Sequence, residues 1–255
     1  VVPRSLEVLS QIVENRPENV ALMDHRPEFV KSAASQVFDH PAIQAFAKIA
    51  KETGIWILAG SVGTLASDGR VSNCSVLLNS DGVIVAEYNK IHMFDVNLSN
   101  GEVYRESETF CPGNRVVLAE TPWGILGMSI CYDLRFPHLF RTMAQYGAKM
   151  IVVPAAFTRV TGEKAWHILN RARAIECASF VISPCMWGEH SGGRTTYGHS
   201  LVVDPWGDIL VDGGEGVCFV TANIDLTQVD KARSAIPALK HDVEFFVGTR
   251  DEDKK

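Results

Sequence analysis

The sequence ILGMSICYDLRFP, which spans residues 125–137, contains the features that decide the fold. It begins with an apolar run that is typical of a buried strand. A helical pattern over Pro137–Tyr146 follows, Gly147 ends that helix, and a second apolar run, Met150–Pro154, is typical of another strand. The sequence therefore predicts a strand, a turn, a helix and a strand in succession, with Cys131 in the turn.

The same succession of helix and strand is predicted on both sides of this stretch. Upstream, Pro41–Thr53 has apolar residues on one helical face, Gly54 ends the helix, and Ile55–Ala59 follows as a buried strand. Downstream, Ala165–Ala178 is predicted to be a helix that leads into the strand Phe180–Pro184. Repeated units of helix and strand indicate a protein of the α/β class.

Three β-hairpins are predicted as well, because pairs of apolar runs flank short turns that contain glycine. Hairpins give antiparallel pairs of strands, whereas the helix–strand units give parallel ones. The sequence therefore predicts mixed sheets in a layered α/β sandwich. The three pairs are Cys74–Leu78 with Val83–Tyr88, Val116–Glu120 with Ile125–Ile130, and Leu201–Asp204 with Ile209–Asp212.

The composition is that of an ordinary globular protein. The chain has 255 residues, of which 46% are hydrophobic and 21% are charged, and these values exclude a disordered chain. A chain of this length buries roughly 70–75% of its unfolded surface, so it can fold without disulfides or metals. Because no linker or low-complexity segment interrupts it, residues 1–255 are predicted to form one domain, with a helix at Ser5–Val13.

Charge and hydropathy argue against two classes of partner. The net charge is −6 and no basic patch is found, so nucleic acid is not an expected partner, because an acidic surface repels phosphates. The apolar runs are far too short to cross a bilayer, so no membrane partner is expected.

The six cysteines favour a reduced, cytoplasmic protein. They form no C-x-x-C pair, which excludes a zinc ribbon and a thioredoxin motif, and no secretory segment opens the sequence. Most of them are expected to be core residues, with at most one of them reactive.

Cys131 is the most suggestive candidate for a catalytic residue. A thiol on a sharp turn between a strand and a helix lies near helix N–H groups, which lower a thiol pKa and can hold an oxyanion. A buried structural cysteine is the alternative interpretation of the same pattern.

Three further residues are ambiguous when each is taken alone. Lys90 lies just past a strand end in apolar surroundings, where a buried ammonium is unfavourable unless it is paired, and a solvated loop lysine is the alternative. Glu18 is compatible with a charge at a helix N-terminus. Glu106 is compatible with an ion pair to its neighbour Arg105.

Taken together, these residues resemble the signatures of the nitrilase superfamily, the carbon–nitrogen hydrolases with a Glu-Lys-Cys triad. The signatures occur in the family order, and the resemblance covers nearly everything from Pro17 to about Asp225. A second glutamate of the family, between the lysine and the cysteine, corresponds to Glu106. The matching segments are Pro17–Asn19, Tyr88–Val96, Arg105–Ser107, Gly127–Pro137, Trp166–Glu176 and Tyr197–Gly207.

The resemblance implies a role for each candidate. Cys131 would attack an amide carbonyl, and Glu18 would take the thiol proton and later activate water. Lys90 and the backbone N–H of Tyr132 would stabilise the oxyanion, and Glu106 would position Lys90 or the substrate.

The resemblance also assigns Phe157 and Arg194 to the part of the site that binds the substrate or the oxyanion. Arg194 lies in the segment His190–His199, which is predicted to be a flexible polar loop and which lies near the pocket in the family. There it would bind a substrate carboxylate. An ordinary surface arginine is the alternative.

The resemblance implies a four-layer αββα sandwich with mixed sheets that associates into a homodimer or a higher homo-oligomer. No cofactor and no metal is expected, because the histidines at positions 92, 138, 167, 190 and 199 show no metal-ligand spacing. His167 is interpreted as a structural histidine within its predicted helix. The turn Gly213–Gly216 is not a phosphate loop, because no Lys-Ser or Lys-Thr pair follows it.

The predicted function is that of a thiol-dependent amidase, which hydrolyses a small linear carboxylated amide to an acid and ammonia through an acyl-thioester on Cys131. Within the superfamily, the stretches YGHS and RARAIE most resemble the branch of the deaminated glutathione amidases, followed by the omega-amidases. Nitrilase and N-carbamoyl hydrolase activities are alternatives. The non-enzymatic alternative is a binding or scaffold member with impaired catalysis, because Val13–Arg16 stands where the family has an apolar strand.

Overall fold

Two large β-sheets and the helices that cover them make up most of the computed structural model, which describes residues 31–246 apart from 33, 67, 191 and 192. Glu18 and the predicted helix Ser5–Val13 lie outside the described residues. The α-helices with described bounds are α1 (Pro41–Thr53), α2 (Pro137–Gln145), α3 (Arg159–Cys177) and α4 (Thr227–Ala235). The strands are β1 (Ile57–Leu65), β2 (Val71–Leu78), β3 (Ile84–Asn89), β4 (Asp95–Asn97), β5 (Val103–Arg105), β6 (Phe110–Cys111), β7 (Val117–Thr121), β8 (Gly124–Met128), β9 (Met150–Val152), β10 (Phe180–Ser183), β11 (Trp187–Glu189), β12 (Thr195–Tyr197), β13 (Leu201–Val203) and β14 (Ile209–Asp212).

The first sheet is built around β2, which pairs antiparallel with β1 and β3 and parallel with β6. The β2–β3 hairpin is the first of the predicted hairpins. Its turn is closed by the side chain of Asn79, whose Oδ1 accepts hydrogen bonds from the N–H groups of Asp81 and Val83. Gly82 follows at a φ of +77°, a conformation that glycine adopts without strain.

The second sheet has the strand order β14-β13-β10-β9-β8-β7. Its centre is parallel, because β9 pairs parallel with both β8 and β10, and its two edges are the predicted antiparallel hairpins β7–β8 and β13–β14. The prediction of mixed sheets is therefore confirmed. Two small ribbons, β4–β5 and β11–β12, lie outside the large sheets.

Buried apolar residues divide the molecule into four layers. One cluster lies between the sheets and combines Leu77 and Tyr88 of the first sheet with Met128, Val152 and Phe180 of the second sheet and its flanks. A second cluster packs α1 against β1 and β2, and a third packs α2 and α3 against the second sheet. The order helix, sheet, sheet, helix confirms the predicted αββα sandwich.

The predicted helix starts are right for α1 and α2, where proline occupies the first turn and needs no hydrogen-bond acceptor for a backbone N–H. By contrast, α3 begins at Arg159, six residues before the predicted Ala165. Gly162 weakens the helical pattern in this first turn, and it is required there because a Cβ would lie 2.3 Å from Cγ of Tyr197. No helix in the described part of the chain is long and apolar enough to cross a bilayer.

Candidate active site

The candidate site lies where the parallel strands of the second sheet end. Because β8 and β9 run in the same direction, their carboxyl ends meet at one edge of the sheet. Cys131 follows β8, and its N–H donates a hydrogen bond to the carbonyl oxygen of Pro154, just past β9, over 3.0 Å. The thiol thus lies at the carboxyl edge of the sheet, where helices and loops meet.

The turn that carries Cys131 is strained. Its φ is +49°, a left-handed conformation that is unfavourable by about 1–2 kcal/mol for a residue other than glycine. A short 3-10 helix, Cys131–Arg135, follows the strand, and α2 begins only afterwards. The structure therefore shows the predicted sharp turn, with a five-residue 3-10 segment between the cysteine and the α-helix.

The prediction of a lowered thiol pKa at this turn is wrong. Burial raises the pKa of the Cys131 thiol, and the nearby charges of Lys90 and Arg194 only partly oppose that rise. Desolvation outweighs both cations because it disfavours the thiolate. The thiol is therefore protonated at neutral pH and needs a base before it can attack.

Lys90 is buried and paired, so the alternative of a solvated loop lysine is wrong. Its side chain is 2% exposed, and Nζ donates to Oε2 of Glu106 over 2.5 Å. The backbone is fixed on both sides, because the Lys90 N–H donates to Asn73 and its carbonyl accepts from Gly113. A buried ammonium with one carboxylate partner and fixed flanks is a positive charge held in place.

Glu106 uses both carboxylate oxygens in this arrangement. Besides Lys90, Oε2 accepts the Phe94 N–H over 2.6 Å, and Oε1 accepts from Nδ2 of Asn73 over 3.1 Å. The alternative of an ion pair with Arg105 is wrong, since Arg105 donates to Val96, Asn97 and Tyr104 instead. Asn73 is a site residue that no sequence motif singles out: it lies just before the predicted strand Cys74–Leu78, and it is fully buried.

The backbone N–H of Tyr132 has no acceptor among the described residues, although the N–H groups of its neighbours Cys131 and Asp133 are bonded. It directly follows the thiol-bearing residue, so it is a free donor beside the sulfur. The ring of Tyr132 packs edge-on against Phe94 and Phe136, with centroid distances of 5.0 and 5.4 Å.

Arg194 lies on an ordered hairpin, so the prediction of a flexible loop over His190–His199 is wrong for its described residues. The strand β12 pairs with β11, and the Arg194 carbonyl accepts the His190 N–H over 2.8 Å. The guanidinium is half-buried: Nη2 donates to the Ala156 carbonyl, and Cζ lies 5.8 Å from the Tyr104 ring centre. Nε is buried without an acceptor in the described part of the chain.

The surroundings of Arg194 place its charge beside the thiol. Burial lowers the pKa of the guanidinium, and the charges of Cys131, Tyr104 and Glu106 oppose this effect. Arginine remains protonated in proteins, so the site holds a second cation that has an unused donor. A carboxylate is the natural acceptor for such a donor.

Phe157 is buried in the core below the site, with its ring 5.0 Å from that of Trp166. The guanidinium of Arg135 lies 5.8 Å from the centre of the Phe157 ring. Arg135 stands in the cysteine motif, and it is exposed. It is a further cation on the same side of the molecule as the thiol.

A second cluster of titratable groups lies away from the thiol. His167 of α3, His199 and Asp212 of β14 place their ligand atoms within 4.8 Å of one another, although the sequence shows no metal-ligand spacing. Hydrogen bonds of 2.9 Å join each imidazole to the carboxylate. Neither imidazole has a partner for its second ring nitrogen within the described residues, whereas metal-ligating histidines nearly always do. The cluster is therefore a hydrogen-bonded clasp, in which Nε2 of His167 is bonded to the Asp212 carboxylate.

Comparison with known proteins shows the family to which this sequence is similar. A family model for the carbon-nitrogen hydrolases matches residues 17–234. The deaminated glutathione amidase of Yersinia enterocolitica is 41% identical over 229 residues, which are 88% of this chain and 79% of that protein. The deaminated glutathione amidase of Synechocystis is 38% identical over 232 residues, which are 89% of this chain and 84% of that protein.

Similarity to solved structures agrees with the sequence matches. The crystal structure of Saccharomyces cerevisiae Nit3, a member of branch 10 of the nitrilase superfamily, superposes with a TM-score of 0.78 and 27% sequence identity. The match covers 92% of this chain and 90% of that chain.

Proposed function

Since this chain belongs to the carbon–nitrogen hydrolase family, we propose that it hydrolyses a small linear carboxylated amide through an acyl-thioester on Cys131. It is an amidase acting on C–N bonds, as its relatives at 41% and 38% identity are. The substrate class that these relatives suggest is deaminated glutathione or an amide like it. The observation that carries the proposal is the buried ion pair of Lys90 and Glu106 beside a thiol on a strained turn.

The first half of the reaction forms the thioester. The Cys131 thiol is protonated, so a base must remove its proton as Sγ attacks the carbonyl carbon. We assign this role to Glu18, which lies outside the described residues. The C–N bond then breaks, the leaving nitrogen takes the proton from Glu18, and the acyl group stays on sulfur.

The negative charge that develops on the carbonyl oxygen needs donors that are already in place. We assign Lys90 Nζ and the Tyr132 N–H to this oxyanion, because the first is a fixed charge and the second a free donor beside the sulfur. Glu106 holds Lys90 in position through Oε2, which Phe94 in turn orients. In the second half, water activated by Glu18 attacks the thioester and releases the acid.

Substrate binding is assigned to Arg194 and Phe157. The Arg194 guanidinium would bind the substrate carboxylate with its unused Nε, and burial would strengthen that interaction. Phe157 would form an apolar wall of the acyl pocket, because it packs with Cys131 in the same core cluster.

We also propose that the chain is a single domain that functions in the cytoplasm as a homodimer. The buried cluster shared by both sheets supports one domain, and all six cysteines are free, as in a reducing compartment. The dimer face would be the outer surface of α3, where Ile168 and Ile175 are 68% and 53% exposed. Ile175 contacts the turn at Gly207, which extends this apolar surface to Trp206, Ile209 and Leu210.

The amidase proposal is tested by incubating the chain with deaminated glutathione, succinamate and propionamide and measuring the acid product by mass spectrometry. Cys131→Ala should abolish product formation with every amide. Cys177→Ala is the matched control, because Cys177 is a buried cysteine of α3 and should lose stability without losing chemistry. Product formation by Cys131→Ala would refute the mechanism.

Intact-protein mass in the same experiment separates the two halves of the reaction. An acyl adduct on Cys131 without release of acid would mean that the nucleophile and the oxyanion site work and that the base does not. Neither adduct nor acid with any amide would refute the proposed substrate class. The dimer is tested separately by sedimentation velocity, in which Ile168→Glu should give the monomer.

A further inference from the structure

Asp133 is a fully buried carboxylate two residues after Cys131, and it is the acceptor of a dense set of hydrogen bonds. Oδ2 accepts from the Tyr88 hydroxyl over 2.7 Å and from the Ile130 N–H over 2.9 Å. Oδ1 lies 2.7 Å from Nδ1 of His92 and accepts the His92 N–H over 3.1 Å. These contacts use the full acceptor capacity of a carboxylate, about four sites.

The donors come from two different segments of the chain. Tyr88 and His92 stand two residues before and two residues after Lys90, at the end of β3 in the first sheet. Ile130 directly precedes Cys131, after β8 in the second sheet. The Asp133 carboxylate therefore links the segment that carries the ammonium to the segment that carries the thiol, across the interface between the sheets.

Each side of this link is held rigidly. The Tyr88 ring is fully buried between the sheets, and the His92 ring stacks on Phe136 with centroids 3.5 Å apart and planes 8° from parallel. In the ranges that the structure describes, Asp133 has no lysine or arginine partner, and its contact with a titratable base is the 2.7 Å contact with the His92 imidazole. A buried carboxylate on which four donors converge is unfavourable unless every bond is made, and this requirement fixes the geometry.

We propose that Asp133 is a positioning residue that sets the separation between the Lys90 ammonium and the Cys131 thiol, with Tyr88 and His92 as its partners. The inference rests on the proposed function, in which Lys90 stabilises the oxyanion that forms on attack by Cys131. Neither Asp133 nor its partners touch the reacting atoms in this proposal. They act through Lys90, whose charge stabilises a transition state only if it lies where the oxyanion forms.

The expected effects follow from this geometry. A misplacement of about 1 Å in a catalytic constellation can lower the rate about 100-fold. Asp133→Asn places an amide N–H₂ against converging donors, so kcat should fall about 100-fold. Tyr88→Phe removes only one hydroxyl and keeps the buried ring, so kcat should fall about 10-fold. In both variants KM should change less than about threefold, because substrate binding is not altered.

Ser179→Ala is the control for loss of a buried hydroxyl. Ser179 is fully buried, donates to the Ala148 carbonyl over 3.0 Å, and lies before the amino end of β10, away from the carboxyl edge. Tyr88→Phe and Ser179→Ala should lower Tm by similar amounts, whereas only Tyr88→Phe should lower kcat. If Asp133→Asn does not fold, the comparison of these two variants decides the proposal. Equal kcat per active site in the two would overturn it.

A double-mutant cycle tests whether Asp133 acts through Lys90. In the Lys90→Ala background, Tyr88→Phe should have no further effect on the rate, measured with p-nitrophenyl acetate so that slow variants remain measurable. An undiminished 10-fold effect would show that Tyr88 acts independently of Lys90 and would overturn the proposal.

The alkylation of Cys131 by iodoacetamide gives a readout that does not depend on amide turnover. The charge of Lys90 favours the Cys131 thiolate, so displacing Lys90 should slow alkylation at a fixed pH. Tyr88→Phe should therefore be alkylated more slowly than Ser179→Ala, even if the wild-type chain hydrolyses none of the amides tested. Absence of both adduct and acid with the wild-type chain would refute the proposed substrate class, whereas equal alkylation rates would refute the positioning role.

Discussion

The cluster of Lys90, Glu106 and Cys131 and the clasp of His167, Asp212 and His199 are alike in how they are built. Both bring titratable groups together from distant parts of the chain, and both use hydrogen bonds shorter than 3 Å. They differ in exposure. The side chains of Lys90 and Glu106 are 2% and 10% exposed, whereas those of the clasp are 21–32% exposed.

On this difference in exposure we base the proposal that the first cluster is a reactive site and the clasp a structural contact. In the buried cluster a charge is poorly screened, so it can stabilise a developing oxyanion strongly, and its removal leaves the partner uncompensated. In the clasp, water screens the charges, and one ring nitrogen of each imidazole is hydrogen-bonded to the carboxylate. The Tyr132 N–H and the Arg194 Nε, which have no acceptor among the described residues, belong to the surroundings of the thiol and not to the clasp.

The largest contrast is expected between Lys90→Ala and His167→Gln. Lys90→Ala should lower kcat by about 1,000-fold through loss of the oxyanion charge, and should destabilise the fold by about 3–5 kcal/mol because Glu106 is left buried and unpaired. His167→Gln should lower stability by less than about 1 kcal/mol and leave kcat unchanged. Urea unfolding and steady-state kinetics measure both. Similar losses in the two variants would remove the distinction between the clusters.

Glu106→Gln is a smaller change to the buried cluster than Lys90→Ala, because it removes a charge and keeps the size of the side chain. The glutamine retains the size of the side chain but no longer pairs with the ammonium, so Lys90 should be less well fixed and kcat should fall about 10–100-fold. Binding of the substrate should change little. A KM that rises while kcat is unchanged would instead assign Glu106 to substrate binding.

Arg194→Gln tests whether the guanidinium of Arg194, whose Nε has no acceptor among the described residues, binds a substrate carboxylate. A hydrogen bond to a charged group contributes about 1.5–3 kcal/mol, so kcat/KM for a carboxylated amide should fall about 10–100-fold. The value for neutral propionamide should change less than about threefold, because no carboxylate is lost. Arg105→Gln is the control, since that arginine is exposed and its hydrogen bonds to described residues stay within the β4–β5 ribbon. Equal losses for both substrates would exclude carboxylate recognition by Arg194.

The smallest effect is expected for Asp212→Asn in the clasp, and it is a change in the free energy of unfolding that depends on pH. Burial by itself raises the pKa of Asp212, but hydrogen bonds from His167, Gly214 and His199 lower it below the ordinary value of about 3.9. A carboxyl whose folded-state pKa is lowered contributes stability above its unfolded pKa and loses it as the pH falls through the folded one. Asp212→Asn should therefore be less stable than wild type by up to about 1 kcal/mol at pH 5–7, with the difference shrinking as the pH falls below the ordinary carboxyl pKa of about 3.9. A difference that persists in acid would show that packing is responsible.

The sequence predicts the layers and the position of the thiol because both depend on local patterns. Apolar runs of strand length and the prolines that open α1 and α2 are visible in short windows, and the turn at Cys131 lies between two such elements. The resemblance of the motifs to a known family adds the pairing of Lys90 with Glu106, which lie 16 residues apart.

The remaining features depend on contacts that no local pattern reveals. The role of Asn73 comes from its register opposite the Lys90 segment, whereas the sequence shows only a polar residue just before the predicted strand Cys74–Leu78. The thiol pKa was predicted with the wrong sign because burial depends on the whole fold, whereas the helix N–H groups are local. The clasp joins residues that are 45 and 13 positions apart, so it has no spacing signature.

The left-handed backbone at Cys131, the proposed nucleophile, lowers the stability of the fold at the position where the thiol is needed. Glycine would adopt a φ of +49° without strain. The free energy of unfolding of Cys131→Gly should therefore equal that of Cys131→Ala or exceed it by up to about 1 kcal/mol. The same comparison at Ala45, an exposed position within α1, should favour alanine by about 1 kcal/mol. Selection for folding alone would therefore favour a glycine at position 131. The cysteine supplies a thiol at this position and lowers the stability of the fold.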